Sequence, residues 1–452
     1  MKKLLCLALA LVLALSCISI AAAEEEITLN IWSFTTEFGE MIEKYFSPSH
    51  PNIKINYTVY PTDGNEYVTK VDNIMASAGD SDEAPDIFTL EAAFVKRYVQ
   101  SDWTANLLDL GFVEEDFASC IPCMLQIGQN SEGVQKGLAW QSTPGALFYR
   151  ADLAEQYLGV TTPEEFQEKV CDWFEFMNTA EELVEASEGA VKMVVCAGDI
   201  WNAYQYNRTQ GWVVDGKLVI DPELYDYLDI AKTLEEEDQS QKGSTWSETW
   251  YAGMRGELPT LCYFLPTWGL HYTIKPNCTS NGSSAATDEE LAALSESNEY
   301  GTYGLWRMVA GPVGYSWGGT WVGANAQKIA GASEEKLAAM KEIIRFFTLD
   351  EDFLYQYASD SGDFVSNNNV VEKIVAEGKP NPFLGGQDHY AIFAEAANLA
   401  NGSIMTEYDD TINSLWSDDV TTPYSKGEKE LDECIATFKA DVAAKYPELI
   451  VE

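Results

Sequence analysis

The order of strands and helices after residue 26 is the sequence feature that most restricts the fold. Strand patterns are present at Ile27–Trp32, Ile53–Tyr60 and Asp86–Leu90. Helical spacing is found between them, at Phe38–Phe46 and Tyr67–Ala78. Strands that alternate with helices in this way form a parallel sheet covered by helices on both faces. The sequence therefore predicts an α/β lobe in this region.

A second α/β region is predicted further along the chain. Gly137–Tyr149 contains two strand-like pieces around a Thr-Pro-Gly turn, and residues 277–300 are Ser- and Gly-rich, typical of an exposed loop with one short helix. The other predicted elements are strands at Val191–Cys196 and Leu261–Phe264 and helices at Asp152–Leu158, Pro163–Asn178, Pro222–Gln239 and Glu334–Leu349. Helices also account for most of residues 351–452.

Length and charge limit the function classes. With 452 residues, 46% of them apolar, the chain can bury a large core and is expected to form two or three domains. Its formal net charge of −44 repels the phosphate backbone of nucleic acids and anionic lipid surfaces. Nucleic acid is therefore not an expected partner.

Residues 1–23 are predicted to be an export signal. Lys2 and Lys3 precede the apolar run Leu4–Leu15, which is too short to cross a membrane as a mature helix. Two processing routes remain open: cleavage after Ala23, which releases a soluble chain, or lipidation of Cys17 in a sequence that resembles a lipobox. The mature protein is expected to be extracellular, periplasmic or lipid-anchored at the cell surface.

Cysteine and histidine patterns give no support for a metal or a cofactor. Cleavage after Ala23 leaves seven cysteines, an odd number. Cys120 and Cys123 have the spacing of a redox dithiol without a thioredoxin-like context, so a local disulfide or two buried thiols is expected. The three histidines, His50, His271 and His389, lack the spacing of metal ligands.

Tryptophan is abundant, and several tryptophans fall in predicted loops after strands. An indole can stack on the C–H face of a sugar ring, while nearby polar groups bind its hydroxyls. The alternative for each indole is ordinary core packing. Trp317 and Trp321 are favoured as ligand contacts because Gly318 and Gly319 would let a ligand approach the backbone. The other tryptophans in predicted loops are Trp32, Trp140, Trp201, Trp212 and Trp268.

Four acidic residues are candidates for binding hydroxyl groups. Glu37, Asp86 and Glu91 are placed at ends of predicted strands, where open α/β sheets bind ligands, and Asp363 follows a Ser-Gly pair. Most acidic residues in so acidic a chain are solvated surface charges, so the strand-end position carries this prediction. No nucleophile elbow, phosphate-binding loop or zinc-protease motif is present, although a glycosidase would need only two carboxylates.

Several segments together resemble the family 1 extracellular solute-binding proteins, the sugar receptors of ABC importers related to maltose-binding protein. The resemblance is found in ITLNIWSFTTEFGEMIEKYF, APDIFTLEAAFVKRYVQSDW, STPGALFYRADLAEQYLGVTTPEEF, ETWYAGMRGELPTLCYFLPTWGL and GLWRMVAGPVGYSWGGTWVGANAQKIAG. Each motif is loose, but their order and spacing are specific. The segment 277–300 looks like an insertion relative to the family.

The resemblance implies a two-lobed, type II periplasmic-binding-protein fold whose chain crosses a hinge more than once. The first lobe is predicted to comprise 27–147 with 312–365, and the second 148–311 with 366–452. Ligand contacts are implied at Trp32–Glu37, Glu91, Trp201, Trp268 and Trp317–Trp321. The expected function is to bind a mono- or oligosaccharide as a monomer and deliver it to an ABC permease. An exported glycosidase is the alternative.

Overall fold

The computed structural model describes residues 26–452, so the predicted signal peptide and Cys17 lie outside the described residues. Its first sheet contains the three N-terminal strands where they were predicted: β1 (Ile27–Ser33), β2 (Ile53–Val59) and β3 (Ile87–Glu91). β1 pairs in parallel with both β2 and β3, as the strand–helix alternation predicts. The short strand β4 (Gly137–Ala139) completes the sheet through a strand from much later in the chain, which pairs antiparallel with both β3 and β4.

That late strand is β10 (Thr320–Ala324), so the first sheet has the order β2-β1-β3-β10-β4. Its position explains why β4 can join the sheet: β10 enters between β3 and β4. The carboxyl ends of β1 and β3 face the same edge because these strands run in parallel. A ligand site at this edge is the usual arrangement in open α/β sheets.

A second sheet of three strands is antiparallel throughout. β5 (Gly145–Arg150) lies in its centre, between β8 (Cys262–Pro266) and β9 (Trp306–Val309). A small hairpin of β6 (Val213–Val214) and β7 (Lys217–Leu218) is separate. The predicted strand Val191–Cys196 is mostly buried, but it bends and forms only isolated bridges, because its neighbours at 239–241 and 259–261 each pair with it over a few residues. It is therefore not a regular strand, and the prediction there is corrected.

Helices pack on both sheets, and most lie where the periodicity predicts them. Glu334–Leu349 begins at Ser333, whose side chain accepts a hydrogen bond from the Lys336 backbone, and it packs on β1. The predicted helix Pro163–Asn178 is two helices, separated at 170–172. The α-helices are Glu37–Met41, Glu66–Ala78, Val95–Gln100, Pro122–Ile127, Ala151–Leu158, Pro163–Lys169, Trp173–Ala186, Gly198–Gln205, Glu223–Glu236, Glu248–Arg255, Thr267–Gly269, Asp288–Ser297, Ala326–Ile329, Glu334–Leu349, Glu351–Ser361, Asn368–Glu377, His389–Ala397, Asp409–Leu415, Thr422–Ser425 and Leu431–Lys445.

Two segments connect the two sheets, and a third segment lies beside them. Residues 140–144 join β4 to β5, and the Ser142 backbone donates to Phe364 in a segment near 362–366. The connection from β9 to β10 lies on the other side, where the Trp317 backbone donates to Thr143. Since β5 belongs to the second sheet, we place the first crossing at 140–144 instead of 147–148. The lobe boundaries otherwise remain a proposal.

The aromatic core is distributed over both lobes. Phe38 stacks on Trp140 at a centroid distance of 5.2 Å in the first, and Tyr149 stacks on Phe166 at 3.8 Å in the second. Trp140 and Trp212, both placed in loops by the sequence patterns, are buried. Cys120 and Cys123 are buried free thiols with pKa values raised to about 12 by desolvation, so the dithiol is unsuited to redox chemistry.

Candidate functional site

A cavity of about 390 Å³ lies between the two sheets, at the carboxyl end of β3. The first-lobe side contributes Glu91 and Lys96, and the crossing between the lobes contributes Trp317 and Gly318. Ala92 and Ala93 complete the first-lobe side. The remaining lining comes from the second lobe: from the helix Gly198–Gln205 with the residue that follows it, from the helix Glu223–Glu236, from a loop ending at Trp246 and from residues 405–421. These residues are Gly198, Trp201, Asn202, Gln205, Tyr206, Tyr227, Thr245, Trp246, Met405, Thr406, Asp409, Asp410, Asn413, Ser414, Trp416, Ser417 and Thr421.

Three indoles form a connected group beside the cavity. Trp246 lies parallel to Trp268 at 6.0 Å between ring centroids and edge-on to Trp317 at 5.7 Å. The Trp268 Nε1 donates to the Trp317 backbone carbonyl at 2.9 Å, which ties the second lobe to the crossing segment. Trp246 is 49% exposed and has a φ of +68°, an unfavourable conformation for a residue with a Cβ. A strained, exposed indole at a cavity is typical of a binding residue.

Trp201 supplies an aromatic surface from another direction. It is half-buried on the helix Gly198–Gln205 and contacts Tyr227 at 5.1 Å between centroids. Trp416 lies behind, fully buried, in a π-helical turn at Trp416–Thr421, a feature frequent at functional sites. Its Nε1 has no hydrogen-bond partner among residues 26–452.

Glu91 is the principal first-lobe carboxylate of the cavity. Desolvation raises its pKa to about 7, hydrogen bonds from the Ala93 and Ala92 backbone oppose that rise, and the negative charge of Asp410 adds to it. The Ala93 bond measures 2.8 Å. Burial also raises the pKa of Asp410 above its ordinary value. Two carboxylates that accept hydrogen bonds therefore face the cavity from different lobes.

The positively charged side chains near the cavity form hydrogen bonds or ion pairs with other groups of the protein. Lys96 donates to the carbonyls of Gln126 at 2.7 Å and Gln129 at 3.0 Å, and burial lowers its pKa to about 8. Arg208 forms a buried ion pair with Asp409 at 2.9 Å. Neither cation pairs with Glu91 or Asp410 in the described part of the chain, so the lining favours ligand groups that donate hydrogen bonds.

Four side chains of the second lobe form what we call the amide relay: Asn202, Gln205, Asn413 and Trp212. The Trp212 Nε1 donates to Asn413 Oδ1 at 2.7 Å, and Asn413 Nδ2 donates to Gln205 Oε1 at 2.8 Å. Gln205 Nε2 then donates to Asn202 Oδ1 at 2.5 Å. All but the buried Trp212 line the cavity.

The structure brings four of the predicted site residues together at this cavity: Glu91, Trp201, Trp317 and Gly318. Trp268 contacts Trp317 directly behind the lining. The predicted residues that do not line it are Trp32, Glu37, Asp86, Gly319, Trp321 and Asp363.

Trp321 and Gly319 do not line the cavity, and Gly318 lines it while also leaving room for an indole of the protein. Trp321 is fully buried on β10, and its Nε1 donates to the Met124 carbonyl at 2.8 Å, so we withdraw it from the site. Gly318 and Gly319 have φ values of +88° and +118°. A Cβ on Gly318 would lie 2.8 Å from the Trp268 Nε1, and one on Gly319 would lie 2.9 Å from the Trp321 ring. The glycines thus make room for indoles of the protein itself.

Asp86 and Trp32 also belong to the first-lobe framework. Asp86 lies before β3, at the end of the strand opposite Glu91, where it accepts a hydrogen bond from the Asn30 backbone at 2.9 Å and pairs with Lys336 at 2.8 Å. Trp32 is 8% exposed and packs edge-on against Tyr60. Both are therefore removed from the candidate site.

Glu37 and Asp363 form a separate acidic pair. The Tyr357 hydroxyl lies 3.0 Å from Glu37 Oε1 and 3.3 Å from Asp363 Oδ2. Burial and repulsion by Glu37 raise the pKa of Asp363 to about 7, and burial raises that of Glu37. A single hydroxyl proton cannot satisfy both carboxylates, so the pair holds a shared proton more readily than isolated acids do. It is not part of the cavity lining.

Sequence reasoning missed several lining residues. Trp246 follows a polar, Gly-containing loop and precedes the helix cap Ser247, which was an available signal. The sequence offered no signal for Asn202, Gln205 or Asn413, because polar residues on amphipathic helices are usually solvated. Asp410 was one acid among 72. No cluster of three or more potential metal ligands is present among residues 26–452.

Two sheets joined by adjacent crossings, with a cavity lined from both sides, define a two-lobed binding protein. The family model for bacterial extracellular solute-binding proteins matches residues 40–383, so the chain belongs to that family and is a solute-binding protein. This confirms the resemblance stated from the sequence. No curated protein sequence matches the chain. No helix within the described residues is long and apolar enough to cross a membrane.

Solved structures share this fold at low sequence identity. A family 1 extracellular solute-binding protein is similar with a TM-score of 0.77 and 18% identity, over 92% of this chain and 99% of that one. An ABC-transporter-associated binding protein from B. animalis subsp. lactis Bl-04, in complex with β-1,6-galactobiose, has a TM-score of 0.64 and 18% identity over 94% and 98%. The galacto-N-biose/lacto-N-biose I-binding protein from Bifidobacterium longum has 0.66 and 14% over 95% and 99%. The predicted two-lobed α/β fold is thereby confirmed.

Proposed function

We propose that this solute-binding protein binds a mono- or oligosaccharide in the cavity between its lobes. The observation that carries the proposal is the lining: three partly exposed indoles, Trp201, Trp246 and Trp317, border carboxylates and amides from both lobes. Indoles provide surfaces for the C–H faces of sugar rings, and the carboxylates accept hydrogen bonds from hydroxyl groups. Two structural neighbours are described in complex with, or as binding, disaccharides, which supports the proposal.

We further infer that the protein delivers this saccharide to the membrane permease of an ABC importer. Family membership supports an exported protein. Cleavage after Ala23 would release the chain, and lipidation of Cys17 would anchor it to the membrane. A monomer is expected, because a cleft between two lobes of one chain needs no second copy to be complete.

Ligand binding is expected to close the lobes. A ligand that contacts Glu91 on one side and Trp201 on the other stabilises the closed arrangement by its differential affinity for that state. Small-angle scattering would record this as a smaller radius of gyration on addition of a bound sugar. An unchanged radius at saturation would contradict hinge closure without contradicting binding.

Isothermal titration against a panel of saccharides is the direct test. The panel should include β-1,6-galactobiose, lacto-N-biose, maltose, cellobiose and their monosaccharides. Saturable binding of at least one sugar is the expected result. Binding of peptides or metal ions, with none of any saccharide, would refute the proposal.

Chromatography of the bound sugar after prolonged incubation tests the glycosidase alternative, which requires shortened products.

A further inference from the structure

The amide relay has a direction that its chemistry fixes. A carboxamide can rotate by 180° and exchange its oxygen and nitrogen, so a chain of amides alone can run either way. An indole N–H can only donate. Trp212 therefore requires the oxygen of Asn413 to face it, at 2.7 Å. Asn413 must then donate to Gln205, and Gln205 must donate to Asn202.

This direction leaves a donor at the cavity end of the relay. Asn202 is 8% exposed and lines the cavity, and its oxygen is occupied by Gln205. Within residues 26–452, no protein group accepts a hydrogen bond from its Nδ2. The Asn202 N–H₂ is therefore free to donate to an acceptor of a bound ligand. Trp416, in the same lining, also has an indole N–H without a partner.

We propose that Asn202 donates to a hydrogen-bond acceptor of the bound saccharide, and that the relay from the buried Trp212 imposes this polarity. The inference rests on the proposed function, because it takes the cavity as a saccharide site. Glu91 reaches the cavity from the other lobe and offers an acceptor. The ligand is thus oriented with a ring oxygen or carbonyl toward Asn202 and donating hydroxyls toward Glu91.

A substitution within the relay should reverse its polarity. In Asn413→Asp, the carboxylate accepts from Trp212 and can no longer donate to Gln205. The Gln205 amide is then expected to turn, donating to residue 413 and accepting from Asn202. The Asn202 oxygen would face the cavity, where it repels the ligand acceptor. Asn202→Asp places an acceptor there directly, while its other oxygen still accepts from Gln205.

The test is titration of the wild type and three variants at pH 8 with β-1,6-galactobiose, lacto-N-biose, maltose and cellobiose. For a sugar that binds the wild type, we expect Asn202→Asp and Asn413→Asp to raise Kd about tenfold or more and Asn202→Ala to raise it less, because alanine removes the donor without adding a repelling acceptor. Melting temperatures verify folding. Asn398→Asp, the same charge change at an exposed residue outside the lining, should bind like the wild type.

The outcomes separate the two proposals. Affinities of Asn202→Asp and Asn413→Asp within twofold of the wild type, or an equal loss in Asn398→Asp, would overturn the relay proposal and leave saccharide binding intact. No binding of any sugar to the wild type would refute the proposed function. In that case, hydrogen exchange of the Trp212 indole N–H tests the relay. The relay requires slow exchange in the wild type and fast exchange in Asn413→Ala. Equal exchange rates in the two proteins contradict it.

Discussion

Two acidic residues and two tryptophans allow a comparison between the framework of the first lobe and the cavity, because one member of each pair belongs to the framework and the other reaches the cavity. Asp86 and Glu91 lie just before β3 and at its carboxyl end, and Trp317 and Trp321 lie four residues apart around the start of β10. Asp86 is paired with lysine and Trp321 is fully buried, whereas Glu91 and Trp317 reach the cavity. The framework residues have their polar atoms paired with the protein. The cavity residues keep a charge or an aromatic face available.

The largest effect is expected from Trp321→Ala. Removing a fully buried indole leaves a cavity under β10 and the Met124 carbonyl without its donor. We expect the free energy of unfolding to fall by about 3–5 kcal/mol, measured by chemical denaturation. The folded fraction should still bind sugar with nearly wild-type affinity. A stable variant that has lost binding would return Trp321 to the site.

Asp86→Asn should also destabilise the protein, by about 3 kcal/mol, because it removes the carboxylate that pairs with the buried Lys328 at 3.8 Å and with the partly buried Lys336 at 2.8 Å. Denaturation curves of the single and double variants with Lys336→Met measure the coupling between the two residues. Sugar affinity of the refolded protein should not change. A large loss of affinity at unchanged stability would place Asp86 in the binding site after all.

Trp317→Ala is expected to weaken sugar binding strongly and to lower stability only slightly, the reverse of what is expected for Trp321→Ala. Loss of an aromatic face should weaken sugar binding by about 1–3 kcal/mol, roughly 5- to 150-fold in Kd. Since Trp317 is only half-buried, the melting temperature should fall much less than in Trp321→Ala. Trp317→Phe keeps an aromatic ring and should recover part of the affinity. If Trp317→Ala melts early and binds normally, Trp317 is a packing residue.

Glu91 should make the stability of the protein depend on pH. Its folded pKa of about 7 is above the ordinary value for Glu, so its contribution to stability is fully present below about pH 4.5 and is lost as pH rises through 7. Glu91→Gln should therefore stabilise the protein at pH 8 by about 3 kcal/mol relative to the wild type and have little effect at pH 4. Asp363 titrates in the same range, so only the difference between wild type and variant isolates Glu91. An equal effect at both pH values would contradict an elevated pKa.

Much of the fold could be predicted from local patterns. The strands β1, β2 and β3 and the helix Glu334–Leu349 agree with the sequence to within one residue, because their apolar periodicity is regular and their caps are standard. Val191–Cys196 did not form a regular strand, although its composition favours one. Its pairing depends on segments about 45 and 70 residues away, which no local pattern reveals.

The site was predicted only where local and topological signals coincide. Glu91 follows a buried strand at the sheet edge that binds ligands in open α/β folds, and Trp317 stands beside glycines. The same reasoning also selected Asp86 and Trp321. The sequence does not show which end of a strand is approached by lysines, and it does not show which of two tryptophans beside a glycine pair is buried. Those distinctions depend on contacts with Lys336 and Met124, far away in the chain.

The sequence by itself determined the α/β class, the acidic surface charge and the family, because periodicity, composition and motif order are properties of the chain. Tertiary structure decided which polar groups are satisfied. Asn413 is more than 200 positions away in the chain from Asn202, Gln205 and Trp212, and only their packing gives the relay its direction. A hydrogen bond depends on separations of about 3 Å and on donor direction, and for the relay these are set by how the second lobe folds.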